Sequence, residues 1–198
     1  MKQLGALTVF LLSLSYPFIF YFGREHFEFR SLLIFFAIPL LFRFVGLKKP
    51  SLKSLLILLL ILLVFGFLHI QNNPQFFMFT PVLINLGLLW TFGSSLFTET
   101  CLVERFARMQ SPELSLEQLA YCKRVNVLWC GIFIFNGSVA LYIALINDLF
   151  LWTLYNGILG YVVIGLFGGA EYIYRHWRFR HYTGSITDPF FKKIFPEK

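Results

Sequence analysis

Charge is scarce in this chain. Of its 198 residues only 14% are Asp, Glu, Lys or Arg, against 58% hydrophobic, too little polar material to cover a globule of that size. The apolar surface must therefore face lipid. Cysteine is scarce as well: Cys101, Cys122 and Cys130 form no C-x-x-C pair and have no His-x-x-x-His partner nearby, which argues against a disulfide framework and a zinc site. There is no G-x-S-x-G, Walker or D-x-D-type motif, and no paired catalytic carboxylates. The stretch His176-Trp-Arg-Phe-Arg-His181 has the look of a histidine box, but four histidines are too few for a di-iron membrane enzyme. No metal and no cofactor are expected.

What the chain has instead is long apolar runs separated by short polar clusters, with a mean hydropathy of +0.71, which is how membrane spans are written. The expected fold is an all-α integral membrane protein of six transmembrane helices, at about residues 4–22, 31–47, 54–70, 76–97, 125–146 and 149–174. These make a single transmembrane domain over 1–178, followed by a basic cytoplasmic tail over 179–198. The first run lacks a small-x-small cleavage site and is followed by further spans, so it reads as a helix and not as a signal peptide. The second and third runs, about 17 residues each, would also suit a re-entrant hairpin.

With six spans the basic residues are lopsided: of seventeen lysines and arginines, all but Arg24 and Arg30 fall on one side. Those two share a loop with Glu25 and Glu28, and the loops at Asn72-Asn73-Pro74 and Asn147-Asp148 carry none. Lys and Arg beside membrane ends are retained in the cytoplasm, so both termini are expected there. The formal charge of +7 then reflects contact with anionic headgroups of the lipid bilayer; nucleic acid is not an expected partner. Trp129, Trp152 and Trp177 fall near expected interfaces, where amphipathic rings are at home.

The longest internal polar segment, 98–124, forms a cytoplasmic elbow between the fourth and fifth spans. Its first part is helical in composition, with Leu102, Phe106 and Met109 on one face and Glu104 four residues before Arg108. Ser111-Pro112 ends it, and Ser115-Leu-Glu-Gln118 fits a capping box that opens the next helix. Glu104, Arg105, Arg108, Lys123 and Arg124 are candidates for docking an acidic protein or a phosphate group, since arginine forks match phosphate and carboxylate. The plainer alternative is an interfacial amphipathic helix held by headgroups and internal ion pairs.

Within the spans, Asn85, Asn136 and Asn156 fall roughly 14, 15 and 10 Å from the expected outer ends and form a candidate polar layer. The layer is either helix-packing glue or a pocket for a headgroup. Asn136-Gly137, Asn156-Gly157 and the G-x-x-x-G of Gly165–Gly169 allow close backbone approach. Glu171 has Arg175 one turn on as a candidate ion-pair partner, with Arg43 as the alternative.

Several words in the second half are distinctive as a set: Asn85-Leu-Gly-Leu-Leu, Glu104-Arg-Phe-Ala-Arg108 with Ser-Pro-Glu-Leu after it, Trp129-Cys130 into Asn136-Gly137, Tyr155-Asn156-Gly157 and Gly169-Ala-Glu-Tyr172. They resemble an uncharacterised inner-membrane protein family of Gram-negative bacteria, over about residues 80–178. That family is typically encoded beside genes of fatty-acid-like or aryl polyene synthesis. The resemblance implies an acyl-synthesis setting, with the strongly acidic acyl carrier protein as a partner for a basic surface, and supplies no catalytic residue. The leading expectation is a non-enzymatic docking or accessory component. A small transporter or flippase for a lipidic product, working as a homodimer, is the alternative, and an acyl-group enzyme using Glu104 or Glu171 as base is the third.

Overall fold

The computed structural model describes residues 15–23, 25–29, 31, 34, 52–180, 182 and 187–196. The expected span at 31–47 lies almost wholly outside these residues, as do the first part of the one at 4–22 and Arg43. Among the described residues all regular structure is helical. In chain order it comprises α1 (15–23), α2 (Leu52–Gln71), α3 (Pro74–Ser95), the elbow helix α4 (Leu102–Gln110), α5 (Leu116–Ile146), α6 (Leu149–Phe179) and α7 (Asp188–Ile194). Three of these, α3, α5 and α6, are long and apolar enough to cross a membrane, and they cover the expected fourth, fifth and sixth spans.

Local chemistry sets the boundaries. Asn72 and Asn147, which follow α2 and α5, take left-handed backbone angles (φ 47° and 56°), a conformation asparagine tolerates and most side chains do not. Asn73 and Asp148 then cap the following helices, their side-chain oxygens accepting from Gln75 N and Leu151 N at 2.9 Å, which satisfies backbone donors that a helix start leaves free. At α5 the capping box forms: Ser115 N donates to Gln118 Oε1 at 2.8 Å and Gln118 N to Ser115 Oγ at 3.3 Å.

The chain divides into two compact units, Met1–Pro81 with Ala140–Leu159, and Val82–Val139 with Gly160–Lys198. In the first, the rings of Tyr16, Phe20, Phe29, Phe77 and Trp152 pack together, Phe20 at 4.5 Å from Phe77 and 5.6 Å from Trp152. Trp152 is wholly buried and its Nε1 donates to Met78 O at 2.8 Å. It therefore faces other rings and not headgroups. A buried indole needs a partner for its N–H, and the break after Phe77 provides a carbonyl for it. Here α6 also takes a π-turn over Tyr155–Leu159. A side chain at Gly157 would come within 2.7 Å of the Phe18 ring, so only glycine suits that contact.

In the second unit, Phe92, Trp129, Phe133 and Phe167 stack between helices, with Trp129 at 5.1 Å from Phe167 and 5.7 Å from Phe133. Gly137 lets α5 approach α3 closely: a Cβ there would stand 3.2 Å from that of Asn85.

Candidate functional site

The elbow is built on one buried amide. Asn126, on α5, is wholly buried. Its Nδ2 donates to Phe92 O on α3 at 2.9 Å, and its Oδ1 accepts from Val103 N in the first turn of α4 at 3.3 Å. Ser95 works beside it: its hydroxyl donates to Phe92 O at 2.7 Å and accepts from Leu102 N at 3.0 Å. Two of the amides that the start of α4 leaves unpaired are thus satisfied by side chains from two other helices. The helix is thus tied to α3 and α5, and the sharp turn out of α3 is fixed.

Glu104 lies in the same first turn and is buried, its side chain 5% exposed. Arg108 closes on it with a two-pronged contact, Nε and Nη2 both 2.9 Å from Oε1, while Nη1 donates to Pro112 O at 3.1 Å. Arg105 reaches the other way, Nε to Thr100 O at 3.2 Å and Nη2 to Thr98 Oγ1 at 3.2 Å. The two arginines hold the turns before and after α4, so their donors are engaged within the chain. Lys123 and Arg124 are exposed, as are Phe106 and Met109 on the outer face of α4.

A second cluster joins α5 to α6. Tyr121 donates its hydroxyl to Glu171 Oε1 at 3.1 Å, and Arg175 Nε lies 3.6 Å from the same oxygen. Glu117 and Arg178 pair between the same two helices. Glu171 thus has the expected Arg175 as neighbour and, in addition, a tyrosine. Of the polar layer, Asn136 is buried and Asn85 stands against its neighbour Gly137 within the second unit. Asn156 belongs to the first unit, where its Nδ2 donates to Trp152 O one turn back at 2.9 Å, a local bond at the π-turn.

The residues that reading the sequence missed are Asn126 and Ser95. Asn126 follows Lys123-Arg124-Val at the mouth of a span, where an amide looks like an ordinary interfacial residue. Its signal was the change from charge to amide just where the run turns apolar, since a carboxamide placed there is costly unless it is bonded.

No family model matches the chain, and no solved structure matches it. It is similar to the inner membrane-spanning protein YciB of Magnetococcus marinus, 27% identical over 123 residues. That match covers 60% of this chain and 60% of the relative.

Proposed function

We propose that the chain is a six-span protein of the bacterial inner membrane, with both termini cytoplasmic, whose elbow is a rigid docking face for an acidic soluble protein. Acyl carrier protein is the class that the resemblance to an acyl-synthesis-linked family implies. The name of the inner-membrane relative supports the location, and the asymmetry of lysine and arginine supports the sidedness. The observation that carries the docking reading is the bracing of α4: buried Asn126 and Glu104 fix the elbow from within, leaving Lys123, Arg124, Phe106 and Met109 exposed. A preorganised surface binds without first having to be ordered. Because Arg105 and Arg108 hold the elbow's own turns, they serve this face as braces, and the contact charges are Lys123 and Arg124.

The test is binding of acyl carrier protein, with and without an acyl chain, to the chain in nanodiscs. Lys123→Glu with Arg124→Glu weakens a salt-sensitive association by about tenfold or more and leaves thermal stability unchanged. Equal affinity for the variant, or no binding at low salt, rejects the docking reading.

A second reading, a transporter or flippase working as a homodimer, is favoured by one observation. Among the described residues a side chain at Gly165 or Gly169 would meet nothing within 4 Å, so that face of α6 is free for a second copy. A transporter changes which leaflet holds the product and leaves its formation intact.

A further inference from the structure

Beyond Phe179 the chain doubles back. Arg180 takes a left-handed conformation (φ 48°) and its amide closes on His176 O at 3.1 Å, a stop that ends the helix. The short helix α7 then returns onto the last turns of α6. Phe191 is its inward residue, stacked on the His176 ring at 4.5 Å and edge-on to Tyr172 at 5.6 Å. Polar contacts hold the same face. His176 Nδ1 lies 2.8 Å from Tyr172 O, its Nε2 lies 3.9 Å from the Asp188 carboxylate, and the hydroxyls of Tyr172 and Thr187 are hydrogen-bonded.

The stripe beside this inward face is apolar and exposed. Phe190 and Ile194, four residues apart and so on one stripe, are 63% and 50% exposed. Lys193 flanks the stripe and is exposed. Lys192, further round, is exposed too, with its ammonium 5.3 Å from the Tyr182 ring. Large apolar side chains bordered by lysine are the composition of a helix lying in the membrane interface. The seat of α7 has the matching position. The 31 residues of α6 exceed the ~30 Å of hydrocarbon by about ten residues. Its last turns, where Tyr172 and His176 receive α7, therefore emerge at the headgroup layer.

We propose that α7 is an interfacial anchor: Phe190 and Ile194 enter the boundary between headgroups and acyl chains, and Lys193 with Lys192 binds anionic phospholipid headgroups. This rests on reading the chain as a membrane protein and is independent of what the elbow binds. The same tail links the inner end of α6 to the lipid composition around it.

The test uses the full chain carrying Ile194→Cys, labelled with an environment-sensitive fluorophore, with the unsubstituted chain labelled in parallel as background for the native cysteines. It is placed in nanodiscs of phosphatidylcholine alone, or of phosphatidylcholine mixed with phosphatidylglycerol. The label shifts to the blue and is quenched by lipids carrying a shallow quencher, more strongly with phosphatidylglycerol. Adding Lys192→Gln and Lys193→Gln lowers the ratio of inserted to free label by about fivefold per lysine. A label open to iodide in both kinds of disc overturns the proposal. So does one shielded from iodide yet untouched by lipid quenchers, since protein would then cover the stripe. Failure to enter discs at all would instead count against the membrane reading.

Discussion

Arg108→Ala lowers the unfolding free energy by about 3 kcal/mol, the loss expected when a buried carboxylate is stripped of its partner. Glu104 has almost no access to water, and Arg108 supplies both of the close donors to its Oε1. Removing the guanidinium leaves a charge in a poorly polarisable site and frees Pro112 O at the far end of α4. The arginine is itself 41% exposed, so its own desolvation is modest and the damage comes from the carboxylate it abandons. Glu104→Met combined with Arg108→Ala therefore recovers most of the loss, because an apolar side chain of similar volume needs no partner. Denaturant titration of the purified protein reads both variants. If the single and double variants prove equally unstable, Glu104 is not the source of the effect.

Asn126→Leu costs about 2 kcal/mol, for a different reason. The size of the side chain is kept, but Val103 N loses its acceptor inside the protein, and Phe92 O loses one of its side-chain donors. The cost falls at the start of α4. Hydrogen exchange at Val103 and the following amides therefore speeds up, while exchange in the middle of α5 does not change. Uniform acceleration across α5 would mean that Asn126 supports the whole helix and not the elbow.

These two residues show where reading the sequence succeeds and where it stops. The elbow helix, its end at Ser111-Pro112, the capping box at Ser115 and the Glu104–Arg108 and Glu171–Arg175 pairs were all legible, because each depends on residues within a few positions of one another. What was not legible depends on which helix lies against which. The sequence placed charge at Arg105 and Arg108, and a free arginine and one already bonded to Thr98, Thr100 or Pro112 look the same until the turns are folded. Trp152 reads as an interfacial ring for a similar reason, since its position in the run says nothing of the three aromatic rings packed against it. Tyr121 joining Glu171 from α5, fifty residues away, carries no local signal. The return of α7 onto His176 also escaped notice, because Asp188-Pro189 announces a helix start but not its seat.

The proposed topology puts the elbow in the cytoplasm and the turn at Asn72-Asn73 across the membrane from it. Labelling of intact cells with a membrane-impermeant maleimide tests it most directly, using Gln71→Cys and Met109→Cys, both at exposed positions, against the unsubstituted chain as background. The account predicts that Gln71→Cys labels once the reagent is admitted past the outer membrane, and that Met109→Cys labels only after the inner membrane is breached. Labelling of Met109→Cys in cells with an intact inner membrane would contradict it.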